Sequence, residues 1–333
     1  MNAKRNLILP SVVLVLISLM SLVSSSLAEE WIQKADMPTK RYDHASCVVN
    51  GIIYVFGGYG TGILSSVEAY DPATNAWTRK ADMPTARYAL SACEVNGIIY
   101  AMGGWNESNI IPTVEAYNLS TDTWIKKADM PIANEYFSVN AVNGIIYTIG
   151  GWTGGPSATV QSYNPATDTW MKKADMPTAR GLLSTGVVNG IIYAIGGQSG
   201  YSVFTSIVEA YDPGTDTWTK KRDMLSQIAA SAACVLGNKI YTIEGYNAFR
   251  RVQVYDPATD IWEPFANTYA TRWEHSANVV NGKIYVIGGW PSSGSEAVNT
   301  LLEYDPFRAP KRPSQDADTQ KLATLWGKVK ISD

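Results

Sequence analysis

The apolar positions of this chain fall in short runs, and the same order of runs recurs along most of its length. In the stretch after Arg87, residues Ala89 to Val95 are small or apolar but for Glu94, Asn96-Gly97 interrupts them, and Ile98 to Met102 is apolar throughout. Asn-Gly between two apolar runs predicts a two-residue hairpin, because both central positions of a type I′ turn need positive φ. The unbroken run Ile98 to Met102 predicts a strand covered on both faces. Gly103-Gly104 ends it, and a variable polar stretch leads to Thr113 to Tyr117, whose alternation predicts a third strand. Asn118 to Thr123 reads as a turn, written Asp-Pro-x-Thr-Asp in other copies, where Pro presets φ. Trp124 opens a fourth strand that runs to Met130-Pro131, and Pro is tolerated there because the ladder stops.

The copies are in strict phase. Trp31, Trp77, Trp124, Trp170, Trp218 and Trp262 follow one another at intervals of 46, 47, 46, 48 and 44 residues. A period of that size marks a repeat architecture, and four antiparallel strands per period describe one blade of a propeller. Six copies of each strand fit between Trp31 and Pro306. The last copy has its third strand, Leu301 to Tyr304, but no Trp seven residues later, where Lys311 stands. The chain begins instead with an unaccompanied fourth strand, Trp31 to Met37. The predicted fold is therefore all-β: a six-bladed propeller of four antiparallel strands per blade, closed by the N-terminal strand completing the last blade. Closure removes the sheet edges an open array would expose.

The paired glycines after a strand, with Tyr and Trp seven residues apart, resemble the kelch repeat. Tyr70/Trp77, Tyr117/Trp124, Tyr163/Trp170, Tyr211/Trp218 and Tyr255/Trp262 carry the likeness. So do Gly57-Gly58, Gly103-Gly104, Gly150-Gly151, Gly196-Gly197 and Gly288-Gly289, while Glu244 replaces the first Gly of the fifth pair. The resemblance implies a kelch propeller over residues 31 to 306. It implies no single function, since such propellers include binding modules and enzymes.

The antiparallel order places the loops into strand one and between strands two and three on one face, and the short uniform turns on the other. Variation in loops on a rigid scaffold is where sites are built. Trp105, Trp152 and Trp290 directly follow the Gly pair on the variable face, joined at that phase by Tyr59 and Tyr246; Trp273 shares its phase with Tyr42 and Tyr88. These aromatics predict a ligand-binding funnel, against the alternative that each only packs on the next blade. Arg41, Arg87, Arg180 and Arg272 each lie ten residues after a repeat Trp. In the peptide-binding kelch domains that this chain resembles, an arginine at this phase faces the central pocket and holds acidic groups, so the resemblance implies a ligand role; the structural alternative is an ion pair or a bond to backbone carbonyls. His44 and His275 share a phase in the first and last blades and join the candidate ligand-binding set. Two His do not make a metal centre, and no metal and no cofactor is expected. Asp43, Glu135 and Glu274 are carboxylates on the same face, with Glu107 in a second loop.

Composition changes the picture in three places. Net charge is −3, with 27 Lys and Arg against 30 Asp and Glu, so no basic stripe exists for nucleic acid. Lys4 and Arg5 precede an apolar run from Leu7 to Val23 and then Ser-Ser-Ser-Leu-Ala, which predicts a signal peptide over residues 1–28, cleaved after Ala28. Pro10 and the short run argue against a retained membrane span, so the protein is expected to be secreted, extracellular or periplasmic. Cys47, Cys93 and Cys234 share one phase, are odd in number and match no metal spacing, so they read as small apolar strand residues. After the propeller (29–306), residues 307–333 read as a Pro-rich charged linker and a short apolar tail.

The expected function is a secreted, monomeric binding module recognising a protein or glycan through the variable face, without catalysis. The alternative is a carbohydrate-active enzyme, resembling the exported sialic-acid mutarotases in its signal and lone propeller, with Arg87 holding a substrate carboxylate and Glu135 or Glu274 moving protons. A copper-dependent oxidase centred on His44 and His275 ranks below both.

Overall fold

The computed structural model describes residues 31–247, 251–268 and 271–306. The signal peptide and the tail expected from the sequence lie outside them. Among the described residues the strands form six four-stranded antiparallel sheets, arranged as blades around one axis, plus two short two-stranded ribbons. The first blade is Ala45–Val49, Ile52–Phe56, Val67–Asp71 and Ala76–Lys80. The first strands of neighbouring blades contact one another around the axis. The ring closes as the repeat count requires: Ile32–Gln33 pairs with Leu301–Tyr304, with Ile32 opposite Glu303 and Gln33 opposite Leu302.

Local chemistry explains the strands. Asn50 and Gly51 have φ of 51° and 78°, the pair a type I′ turn needs, and they set Val49 opposite Ile52. Every second strand is buried after its first residue, matching the continuous apolar runs. The repeat tryptophans tie blade to blade. Trp124 Nε1 donates to the Ala81 carbonyl of the preceding blade at 2.9 Å, and Trp77, Trp170 and Trp218 repeat the contact at 2.8–3.0 Å. The turn acid reinforces it: Asp168 Oδ1 accepts from its own blade's Tyr163 hydroxyl at 2.5 Å and from the neighbouring Ala128 N–H at 2.9 Å.

The four phased arginines correct the ligand-binding expectation. Arg41, Arg87 and Arg180 are wholly buried and Arg272 is 4% exposed; none lines the variable-face cavities. Each lies inside its blade. Arg87 donates to the carbonyls of Gly103, Thr113 and Ala101 at 2.8–3.3 Å and pairs with Glu115 at 2.6 Å. Arg41 pairs with Glu68 at 3.0 Å, and Arg180 with Glu209 at 3.0 Å. A planar fork with five donors satisfies a cluster of inward carbonyls that smaller residues leave bare.

The blades lacking this arginine explain its role further. Asn134 and Ile228 replace it in the third and fifth blades, and there the partner carboxylate is also gone, as Gln161 and Gln253. Asn134 Nδ2 keeps one of the lost bonds, donating to the Gly150 carbonyl at 2.7 Å. The sixth blade is the informative exception. It keeps Arg272 but carries Leu302 at the partner position. The counter-charge comes from Glu244 of the fifth blade, 3.4 Å from Arg272 Nε. Glu244 stands where the other blades have Gly, at φ 51°. A side chain at the equivalent Gly57 would meet the Arg87 carbonyl oxygen at 2.5 Å and the Met83 methyl at 2.9 Å; next to Glu244 that methionine is replaced by Thr268. The irregular glycine is thus a rebuilt ion pair.

Removing one member of a buried pair strands the other charge, at a cost of about 3–5 kcal/mol. Arg87→Asn and Glu115→Gln should each lower the denaturant midpoint, and the double variant, which reproduces the natural pair of the third blade, should be more stable than either. Glu244→Gly should destabilise, although it relieves a positive φ, because Arg272 loses its counter-charge; a gain in midpoint would contradict the pairing.

Candidate funnel on the variable face

Twelve residues after each repeat Trp comes the residue that closes the mouth of the channel. These are Asp43, Ala89, Tyr136, Leu182, Ala230 and Glu274, all left-handed, with φ between 52° and 58°. Their backbones form one continuous ring. Asp43 N–H donates to Glu274, Ala89 to Asp43, Tyr136 to Ala89, Leu182 to Tyr136, Ala230 to Leu182 and Glu274 to Ala230, at 2.8–3.1 Å. Left-handed geometry costs a non-glycine residue roughly 1–2 kcal/mol, and here the hydrogen bond to the next blade offsets it.

Above this collar the two aromatic phases seen in the sequence pair with each other in every blade. Tyr42 bridges Tyr59, Tyr88 bridges Trp105, Glu135 bridges Trp152, Ala229 bridges Tyr246, and Trp273 faces Trp290. The rings join in two arcs and a separate pair. Trp290 meets Tyr42 edge-on at 5.1 Å, Tyr42 meets Tyr59 at 5.6 Å, and Tyr59 meets Tyr88 at 5.8 Å. On the other side Phe204 stacks on Tyr246 at 5.9 Å, Tyr246 stacks on Trp273 at 4.6 Å, and Trp152 meets Tyr201 edge-on at 5.5 Å. The arcs wall two lobes of about 400 and 370 Å³ that share Tyr136, Tyr246 and Glu274. Both lobes lie in the size range of ligand pockets.

The floor is acidic. Tyr136 donates to Asp43 Oδ2 at 3.2 Å, and Tyr246 to Glu274 Oε1 at 3.3 Å. Burial pushes the Asp43 carboxyl well above the usual range, and the Glu274 charge adds to it, against the Tyr136 hydrogen bond. Burial raises Glu274 to about 7, opposed by the bond from Tyr246. Burial alone raises Glu135 to about 7. Below the collar a cavity of about 130 Å³ is lined by His44 and His275. Both imidazoles stay neutral. Burial, helped by the Arg41 charge, lowers His44 to about 3; burial, Arg272 and His44 hold His275 well below its ordinary value. His44 Nε2 lies 3.0 Å from Ser276 Oγ.

The expected aromatic set is therefore brought together in large part. Tyr59, Trp152, Tyr246, Trp273 and Trp290 line the funnel. Trp105 does not: it is half-buried, bridged to Tyr88 and Ile110, and outside both lobes. His44 and His275 sit beneath the funnel floor rather than in it. Among the described residues no group of three or more His, Cys, Asp and Glu side chains could hold a metal ion. The three cysteines are unpaired on first strands, and burial raises their thiols. Tyr136, Tyr201 and Phe204 were not legible as site residues. Tyr201 and Phe204 come from the loop after the Gly pair in the fourth blade, a two-stranded hairpin Gln198–Gly200 against Val203–Phe204 where the first three blades make a single bridge.

Comparison with known proteins agrees with this architecture. The profile of the KLHDC2/KLHL20/DRC7 Kelch-repeats domain matches residues 17–197, and that of the Kelch motif matches 179–225, 229–268 and 274–306. An F-box/kelch-repeat protein of Arabidopsis thaliana is 50% identical over 46 residues, which is 13% of this chain and only 12% of that protein. The solved structure of YjhT superposes with a TM-score of 0.72 at 16% identity, covering 81% of this chain and 96% of that one.

The raised carboxyls make stability depend on pH. A carboxyl whose folded value lies near 7, above its ordinary 4.5, stabilises the fold only while protonated. Stability should fall as pH rises from about 4.5 through about 7. Glu135→Gln and Glu274→Gln should therefore raise the melting temperature above neutrality, with the gain vanishing in acid. Thermal unfolding across pH checks this, and a gain confined to acid would contradict the burial of these groups.

Proposed function

Because the chain belongs to the kelch-repeat family, we propose that it is a binding module acting outside the cell as a monomer, which receives part of a protein or glycan in the funnel. The carrying observation is the half-exposed aromatic wall around a floor of carboxyls shielded from solvent, built on the face where the loops vary. Aromatic walls give contact area at low entropic cost, and the collar fixes the floor, so little conformational freedom is lost on binding. Export rests on Lys4, Arg5 and the apolar run ending before Ala28.

One observation favours a second reading, a sugar isomerase or epimerase. Glu135 and Glu274 titrate near 7, where a carboxyl can both take and give a proton. Against it, Arg87, which would hold the substrate carboxylate, is buried on Glu115.

A screen of glycans and secreted proteins tests the first reading. Trp273→Ala with Trp290→Ala should weaken every true hit by about 2 kcal/mol or more, while Trp105→Ala should leave binding unchanged. Hits that ignore the funnel pair would refute the site. Proton exchange at a sugar carbon, followed by NMR and abolished by Glu274→Gln, would move the balance to the enzyme.

A further inference from the structure

The funnel is anionic in a way that narrows its ligand. Asp43, Glu135 and Glu274 are its ionisable acids, and no described lining residue is Lys or Arg. Arg41 and Arg272 stand only two residues before Asp43 and Glu274, yet both are committed to glutamates inside the blades. The imidazoles below are neutral. Nothing built into the described site balances these carboxyls.

Glu135 supplies an independent observation. It is 8% exposed, lines the smaller lobe, and its carboxyl makes no hydrogen bond or ion pair with any described residue. A buried acid without a partner is costly, and the open side of this one is the lobe itself. The walls have matching chemistry. Tyr246 stacks on Trp273, and Trp290 meets Tyr42 edge-on, so the lobes are walled by π systems. Ring faces attract cations and disfavour anions. A neutral sugar could stack there and bond to the acids, but it would not relieve the repulsion between Asp43 and Glu274, which the collar holds in adjacent blades.

Resting on the binding-module reading, we propose that the group received in the funnel is an organic cation, an alkylammonium or guanidinium, whose charge is met by Asp43, Glu274 and Glu135 and whose carbon stem packs on the aromatic walls. Its arrival displaces the proton that these carboxyls retain near neutrality. The proton leaves to solvent, and no bond of the ligand changes. The other titratable groups facing the acids do not compete: the hydroxyls of Tyr42, Tyr88, Tyr136 and Tyr246 are all raised by burial, as their first cause, and stay neutral.

Isothermal titration of the full mature chain tests this with N-acetyl-lysine methylamide, N-acetyl-arginine methylamide and spermidine. N-acetyl-norleucine methylamide is the neutral isostere, N-acetylglutamate the anion and methyl glucoside the neutral sugar. Two buffers of different ionisation heat read proton release. The expected result is millimolar or tighter binding of cations only, with proton release near neutrality and weaker binding in acid. Preference for the amino-acid amides would point to a protruding Lys or Arg side chain, and preference for spermidine to a free amine. Glu135→Gln with Glu274→Gln should weaken binding at least about tenfold, and the melting-temperature gain above neutrality shows that this variant is folded. Silence from all three cations, equal binding by the norleucine isostere, or binding unchanged in the double variant would overturn the proposal. If the cations fail but a screened ligand still depends on Trp273 and Trp290, the cation assignment falls and the binding module stands; if both fail, both readings fall.

Discussion

The closed ring of six backbone hydrogen bonds at the channel mouth is the constraint on which the functional face depends. Each bond links a left-handed residue to the same position in the next blade, from Asp43 through Glu274 and back. A ring of this kind has no end, so every blade must present its residue at the same height and angle. That requirement reaches outward along the first strands and into the blade contacts. The Trp indole and the turn acid fix one blade against the next at the rim, and the collar fixes them at the axis. The left-handed geometry puts all six collar residues on the wall of the channel, where they line the funnel or the cavity beneath it. A floor defined by backbone bonds can carry any side chain, which is how Asp, Ala, Tyr, Leu and Glu occupy equivalent places.

Inside the blades a second constraint acts, on charge rather than on backbone. Inward carbonyls near the Gly pair need donors, and a buried guanidinium supplies them. That guanidinium in turn needs a carboxylate, because an unpaired buried charge is far costlier than a buried pair. The chain obeys this blade by blade. Arg comes with Glu in three blades, Asn or Ile comes with Gln in two, and in the sixth the missing acid is replaced by Glu244 from across the blade boundary. The charges are removed in pairs or restored in pairs. This is why the arginines are unavailable to a ligand, and why the funnel is left with acids and no described basic residue.

The fold was readable because it is periodic. Trp spacing, Asn-Gly turns and unbroken apolar runs each report local geometry, and their agreement across six copies leaves one architecture. The wall was half readable: the phases of Tyr59, Trp152 and Trp290 point to the right loops, but the same phase includes Trp105, which the second blade turns away from the lobes. The arginines stood between a ligand role and a structural one because phase gives the position of a residue and not the direction of its side chain. Glu68, Glu115 and Glu209, two residues before the repeat Tyr, were the available signal, since their presence and absence track those arginines. The collar had no compositional signal. Its six positions share a backbone conformation and no residue type, so only the ruler of the tryptophans could have found them. Tyr201 and Phe204 belong to a loop that is longer and more regularly paired than its counterparts in the first three blades, and the period carries no information on loop length.

Function gathers where the symmetry is broken. Five of the six pairings between the aromatic phases involve rings that any kelch blade could carry, and they make a generic wall. What makes this funnel particular is Glu135 where three other blades have Tyr or Trp and two have Gly or Ala, Tyr136 in the collar, and Asp43 next to Glu274. That last pair sits at the junction of the first and last blades. The collar bond between them, Asp43 N–H to Glu274 carbonyl at 3.0 Å, crosses the seam where the first and last blades meet. The seam is closed at the rim by the short strand Ile32–Gln33, between the first strands by His44 with Ser276 and Asn278 with Ser46, and at the mouth of the channel by this contact. When both carboxyls ionise, their repulsion acts across that junction; a proton or a bound cation between them removes it. Ligand and closure therefore draw on one electrostatic interaction, and the place where the propeller is joined is also the place where its charge is left unbalanced.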